Sequence, residues 1–405
     1  MSRIADLIAE YGPNCAEFRL LGEVAAYSNT RVLAASVDAE TFVGVDNLLS
    51  NQAGRVASNC VPNKGSLSAY QSDDILIGNI RPYLKKIWLA SNSGGCSGDV
   101  LAVRIVEAYQ TRLLPTFLYW ILSSDAFFDF NMRHAKGAKM PRGSKAMILK
   151  YRIPVPPLEV QREIVKVLEA FSELEKNLDA ELRAELVARQ LQYRYYRDAL
   201  FAFADRDTLW VTMAEVGRFF RGRRFTRNDL SPMGLACIHY GDIYTHYGTA
   251  ATVALSYVHV EMASALRFAE PSDLVIAGVG ETVEDVGKAV AWLGDGKVAI
   301  HDDCFVFRHS LNPKFVSYYF QTAAFHAEKN KFVARAKVKR LSGESLAKMA
   351  IPVPPVEEQE RIVAILDQLE ARVNDLSVAL PTELTARRQQ YEHYRDRLLT
   401  FPETA

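Results

Sequence analysis

The chain has 405 residues, more than one ordinary hydrophobic core accommodates, so two to three domains are expected. Hydrophobic residues make up 49% and charged residues 24%, a globular composition that excludes a disordered or fibrous chain. The 48 basic and 48 acidic side chains cancel, so any affinity for a polyanion has to come from local clusters.

The first residues, Met1 to Gly12, bring an acid by Asp6 and no basic leader ahead of an apolar stretch, so no secretory signal is expected. No later apolar run approaches the roughly 18 residues of a bilayer span. The five scattered cysteines, Cys15, Cys60, Cys96, Cys237 and Cys304, include no C-x-x-C pair and read as reduced thiols of a cytoplasmic protein. Residues 1–152 alternate short β-rich runs such as Ile75-Leu76-Ile77 with a helical stretch from Phe117 to Phe128, punctuated by glycine, asparagine and proline. An α/β or α+β domain is expected there. Its end is strongly basic: Arg133, Lys136, Lys139, Arg142, Lys145, Lys150 and Arg152 occur without an acid between them.

Residues 153–204 form a different kind of segment. Pro156-Pro157 followed by Glu159 is a helix start, with proline suited to the first helical position and the carboxylate facing the unpaired amides of the first turn. Ile164, Leu168, Phe171, Leu178 and Leu182 continue at coiled-coil spacing, with Glu175 standing on the seam. About 45 helical residues would make a rod of roughly 65 Å.

A second mixed domain is expected over 205–350. It holds Leu274-Val275-Ile276-Ala277, a helical stretch from Phe315 to Phe325, and two acid-free basic clusters. One comprises Arg218, Arg221, Arg223, Arg224 and Arg227; the other comprises Lys329, Lys331, Arg335, Lys337, Lys339 and Arg340.

Residues 351–405 repeat 153–204. Ile153-Pro154-Val155-Pro156-Pro157 recurs as Ile351-Pro352-Val353-Pro354-Pro355, and about 23 of 51 positions match at a constant offset of 198. Gln161 pairs with Gln359, and Tyr193, Tyr196, Arg197 and Asp198 pair with Tyr391, Tyr394, Arg395 and Asp396. Ile362, Leu366, Leu369, Val373, Leu376 and Leu380 make the second seam, and Pro381 is expected to kink it. The chain is therefore a pseudo-two-fold duplication, two divergent domains separated by two constant helical segments. An antiparallel coiled coil of the two helices would bury both seams; the alternative is that each helix packs on its own domain.

The basic runs recur at corresponding places of the two halves, which favours phosphate binding over two solvated faces. Arginines such as Arg221, Arg223 and Arg224 suit bidentate contacts to guanine. The paired tyrosine and arginine residues near the helix ends suit either a protein interface or helix-end packing. Catalytic motifs are missing from the sequence. There is no Asn-Pro-Pro or Asp-Pro-Pro of an adenine methyltransferase and no G-x-x-x-x-G-K-[ST] of an ATPase, and Gly278-Val279-Gly280 reads as a turn. Asp273 with Asp295-Gly296-Lys297 is the nearest approach to a metal-dependent nuclease, and it reads better as a turn. His239, His246, His259 and His301 lack metal-ligand spacing.

The motif Ile-Pro-Val-Pro-Pro-x-Glu-x-Gln, followed by Arg189-x-x-Gln192-Tyr193-x-x-Tyr196-Arg197-Asp198-x-Leu200 and its copy from Arg387 to Leu398, resembles the conserved regions of type I restriction-modification specificity subunits, the closing motif being most similar to the IC subgroup. Val43 to Leu48, the run from Ile75 to Leu84, and Ile238 to Ile243 resemble segments of that family's target recognition domains. The resemblance implies two target recognition domains, 1–152 and 205–350, each reading one half of a split, asymmetric site in double-stranded DNA. Conserved helical regions 153–204 and 351–405 would set the spacer. It further implies a non-catalytic subunit of the bacterial or archaeal cytoplasm. Its partners would be two methyltransferase (M) subunits, which carry S-adenosylmethionine, and restriction (R) subunits, which use ATP and Mg²⁺; this chain itself would bind no cofactor or metal.

The DNA-contact candidates are then Asn79, Arg81, Lys85, Lys136, Lys139, Arg142 and Lys145 in the first half. In the second half they are Arg221, Arg223, Arg224, Arg335, Lys337, Lys339 and Arg340. Tyr193, Tyr196, Arg197, Tyr391, Tyr394 and Arg395 are the candidates for the partner-subunit interface.

Overall fold

The computed structural model describes residues 4, 6, 10, 11, 15–203, 208–334 and 338–402. Arg335 and Lys337 lie outside the described residues. The chain forms two compact units: Met1–Glu181 together with Thr382–Ala405, and Leu182–Pro381. The division runs through both long helices, Leu158–Leu200 and Val356–Leu399, so each unit contains the first half of one helix and the second half of the other. Pro381 sits inside the second helix without ending it. Among the described residues no helix is long and apolar enough to cross a membrane.

In the first unit, strand Glu17–Leu20 pairs antiparallel with Arg152–Val155, placing Arg19 opposite Ile153 and Glu17 opposite Val155. The Ile-Pro-Val motif is thus half of a two-stranded ribbon, where proline's missing donor disturbs no interior ladder. The ribbon brings both ends of the domain to the start of the long helix. Between them an antiparallel sheet runs in the order Ala25–Tyr27, Val100–Ile105, Ile75–Gly78, Ile87–Leu89. A second sheet holds Arg31–Leu33, Ser66–Tyr70, Gly94–Cys96 and Phe42–Val43, the last pair parallel. Helices Pro115–Leu122 and Asp125–Arg133 bury Phe117, Leu118, Phe127 and Phe128 in the same core as Ile75, Ile77 and Val103. Ser124 caps the second of these, accepting from the Phe127 amide at 3.3 Å.

The second unit repeats the plan. Leu209–Thr212 pairs with Ala350–Val353, and the main sheet runs Gly217–Arg221, Cys304–His309, Leu274–Ala277, Ala289–Trp292, with Ala250–Ala251 added in parallel. The companion sheet again joins one parallel pair, Leu235–Ile238 beside Val298–Ile300, to an antiparallel neighbour, Phe268–Ala269. In each unit a buried aspartate just ahead of the central strand pairs with a partly exposed arginine of its neighbour: Arg104 Nη2 to Asp74 at 2.7 Å, and Arg308 Nη2 to Asp273 at 2.7 Å.

The helix starts are locked by the repeated glutamine. Gln161, buried, accepts from the Leu114 amide at 2.9 Å and donates to the Arg112 and Pro156 carbonyls at 2.8 and 2.7 Å. Gln359 accepts from the Asn312 amide at 2.9 Å and donates to the Pro354 carbonyl at 2.9 Å. Each core is then closed by a helix end that lies far away in sequence. Val160, Ile164 and Leu168 pack in one cluster with Leu399 and Phe401, and Ile362 and Leu366 pack in another with Phe201 and Phe203. Within each unit the helix segments are therefore antiparallel, the start of one beside the end of the other. Farther along the seam the burial falls off: Phe171 is exposed, and Glu175 and Leu178 are half-buried.

This arrangement predicts unit-specific destabilisation. Phe401→Ala should cost the first unit about 3 kcal/mol and leave the second unchanged, with Phe203→Ala giving the reverse. Hydrogen exchange of the amides in strands Ile75–Gly78 and Leu274–Ala277 would report the two units separately, and equal loss in both from either variant would contradict it.

Candidate nucleic-acid interface

Central strand Ile75–Gly78 leads directly into the floor of the first basic loop. The Asn79 amide donates to the Asp99 carbonyl at 2.8 Å, and the Asn79 carbonyl accepts from the Gly143 amide at 3.1 Å. Lys136 and Arg142 exchange backbone hydrogen bonds of 2.9 and 2.8 Å, closing residues 137–141 into a hairpin tip, and the Pro141 carbonyl accepts from the Arg81 amide at 2.7 Å. Two glycines make this possible. Gly137 adopts φ +101°, which side chains resist, and a Cβ on Gly143 would stand 2.3 Å from Asn131 Oδ1 and 2.8 Å from Asn79 Oδ1.

The second unit docks its loop in the same way. The Gly278 amide donates to the Asp303 carbonyl at 2.8 Å, the Leu341 amide to the Gly278 carbonyl at 2.9 Å, and the Ala334 amide to the Arg340 carbonyl at 3.2 Å. Ala334, Arg340 and Leu341 stand 198 residues after Lys136, Arg142 and Gly143. The ion pair is shared too: Arg142 Nε lies 3.1 Å from Asp99 Oδ1, and Arg340 Nη1 lies 3.8 Å from Asp303 Oδ1. Such half-exposed pairs add little stability, and their effect is to orient the loop base.

The cations therefore separate into braces and free groups. Lys85 Nζ sits 2.7 Å from Asp125 and Arg221 Nη2 lies 3.6 Å from Asp302, so both are braces alongside Arg142 and Arg340. Burial alone would raise the Asp125 carboxyl, but Lys85 and Arg395 beside it hold it below the usual carboxylate range. Lys339 is half-buried and pairs in register with Gly280. Arg81, Lys136, Lys139, Lys145, Arg223 and Arg224 are exposed, with no carboxylate at ion-pair distance among the described residues. Asn79 is buried, so its side chain is floor rather than rim. Lys329, in the acid-free run of the second half, is also buried; its ammonium donates to the Val283 and Val286 carbonyls at 2.8 and 2.7 Å, and burial pushes it down to about 8.

A further basic turn, Arg81 to Lys85, has both ends in the left-handed region, at φ 51° and 49°. It is held by Asn51 and Gln52, whose amides donate to the Leu84 and Lys85 carbonyls at 2.9 and 3.0 Å. Gln52 Oε1 in turn accepts from Arg395 Nη1 at 3.2 Å. Arg395 is 1% exposed and also lies 3.4 Å from Asp125, while Arg197 is 8% exposed and bonds Asp198. Both guanidinium groups are thus turned into their own units, as the interior of the helix-end packing requires. Tyr193 and Tyr391 pack partly buried against the two cores, and Tyr394 is half-buried. Tyr196, 44% exposed, stays on the surface beside Tyr195.

The nuclease set does not assemble. Both Asp273 oxygens accept from Arg308, and Lys297 stands 4.5 Å over the Phe268 ring. His301, Asp302 and Asp303 approach one another, but Arg221 stands within ion-pair distance of both carboxylates and Arg340 within that of Asp303. Sequence reasoning missed Asp99, Asp303, Asn131 and Gln52. Only the first two carried any signal, an acid just ahead of each Val100–Ile105 or Cys304–His309 strand, and their separation of 204 residues departs from the 198 of the repeated segments.

The model of the type I restriction modification DNA specificity domain matches residues 17–184 and 260–386. The chain is 29% identical over 279 residues to the EcoR124I/EcoR124II type I restriction enzyme specificity subunit of Escherichia coli, a match spanning 62% of this chain and 63% of that protein. In fold it is similar to a chain solved in work on complex assembly and conformational transition of the type I R-M system, with a TM-score of 0.72 at 21% identity over 96% of this chain and 98% of that one. The HsdS subunit of Thermoanaerobacter tengcongensis gives a TM-score of 0.61 at 21% identity, covering 96% and 97%.

The packing under the first loop can be tested without DNA. Gly143→Ala should cost the first unit about 1–3 kcal/mol in denaturant unfolding and open residues 134–145 to proteolysis, because the two carboxamides beneath have to move. Unchanged stability and protection would contradict this seating of the loop.

Proposed function

The chain belongs to the type I restriction modification DNA specificity family, and from that premise we propose that each unit reads one half of a split, asymmetric DNA site with the basic hairpin docked at the end of its central strand. The observation that carries this reading is the recurrence of one hairpin seating, at a constant offset, on two domains whose loop sequences differ. Two readers of different composition suit two different half-sites. Arg81, Lys136, Lys139, Lys145, Arg223 and Arg224 supply phosphate and base contacts, as do Arg335 and Lys337. Lys85, Arg142, Arg221 and Arg340 brace the loops that present them.

The chain is the recognition component and does no chemistry. Residues 1–152 and 205–350 act as the target recognition domains, and the helical regions 153–204 and 351–405 set the unread spacer. Two M subunits dock on the helical regions, where exposed Tyr195 and Tyr196 offer aromatic anchors, and through them the R subunits join. S-adenosylmethionine belongs to the M subunits, and ATP with Mg²⁺ to the R subunits. The assembly works in the cytoplasm.

Co-expression with a cognate M subunit, followed by single-molecule mapping of N6-methyladenine on a plasmid, tests this directly. Methylation confined to one split motif is expected; a pattern unaffected by the presence of this chain would overturn the reading. At the level of residues, Lys136→Ala and Lys139→Ala should each weaken DNA binding uniformly across sequences and lower the slope of log affinity against log salt by about one. An unchanged slope in both variants would remove these lysines from the phosphate contacts.

A further inference from the structure

Within the two basic hairpins one position breaks the chemistry of its neighbours. Met140 is 43% exposed and Val338 is 46% exposed. They stand 198 residues apart, at the same place in the two tips. Of the other positions, Ala138, Lys139 and Arg142 are kept as Ala336, Lys337 and Arg340, while Lys136, Gly137, Pro141 and Gly143 are replaced by Ala334, Arg335, Lys339 and Leu341. Each apolar side chain is followed by an anchored residue. The residue after Met140 gives its carbonyl to the Arg81 amide at 2.7 Å, and the residue after Val338 pairs in register with Gly280.

An apolar group at the rim of a cationic loop gains nothing from phosphate or water. Resting on the DNA-reading function proposed above, we infer that Met140 and Val338 are specificity-determining residues, each packing against the C5-methyl of a thymine in the major groove, one in each half-site. The thymine methyl is the apolar feature that base edges present in that groove. Wedging between base pairs is the other use of an apolar side chain on DNA; methionine serves for it but valine does not, and the matching places of Met140 and Val338 call for one contact that suits both. In the first loop exposed Lys136 and Lys139 complement the phosphates, leaving the apolar side chain for the groove.

The test uses the full chain with its M subunit, read by N6-methyladenine mapping and by binding to duplexes of the mapped motif. Met140→Ser should relax selectivity about fourfold at one A·T position of one half-site, and Val338→Ser should do so at one A·T position of the other half. A duplex with deoxyuridine in place of that thymidine should bind the wild-type chain about fourfold more weakly, yet bind the serine variant as the thymidine duplex does. Unchanged motifs in both variants, relaxation at a G·C position, or no penalty for deoxyuridine would overturn the methyl contact. Absence of any split motif with the wild-type chain would overturn instead the reading on which it rests.

Discussion

Neither unit has a complete core of its own contiguous residues. Ile164 and Leu168 bury against Leu399 and Phe401, and Ile362 and Leu366 bury against Phe201 and Phe203, so each domain is finished by a helix end supplied from about two hundred residues away. Aromatic and aliphatic side chains of this size each contribute several kcal/mol when buried, a large share of a marginal total. Once that packing is satisfied, the rest follows. The helix start is fixed by Gln161 or Gln359, the Ile-Pro-Val ribbon closes the domain just before it, and the central strand is aimed at the basic loop.

The same packing reaches the loops. Arg395, near the end of the second long helix, bonds Gln52 and approaches Asp125, and these hold the Arg81 to Lys85 turn, which adjoins the hairpin tip through Pro141. A constant element therefore braces a variable one in the first unit. The second unit uses a different brace for the corresponding loop, buried Lys329 beneath the Val283 and Val286 carbonyls. This is a physical account of how two diverged domains anchor their loops alike: the anchoring contacts are mostly backbone hydrogen bonds at strand ends, which are independent of side-chain identity.

The division of labour among cations has the same origin. A charge cluster without an acid looks uniform along the chain, yet Arg142 and Arg340 pair with aspartates that precede a neighbouring strand, and Lys329 enters the core. Only the remainder is available to a polyanion. An alanine scan that treats the cluster as uniform would mix a reoriented loop base with the loss of exposed charge.

The duplication, the two long helices with their starts, the mixed α and β character of the domains and the recurrence of basic loops were all legible in the sequence, because each depends on local periodicity, proline and glycine punctuation, or a constant offset. The tyrosine and arginine pairs near the helix ends were legible as special, although their burial was not. What only the tertiary structure decided is which helix half closes which core, which cations are braces, and that Asn79 lies beneath the loop. Those outcomes hang on contacts between residues far apart, such as Arg395 with Gln52 at a separation of 343 residues and Asp99 with Arg142 at 43. No periodicity encodes such meetings; they exist only after the core has brought strand ends, turns and helix ends together.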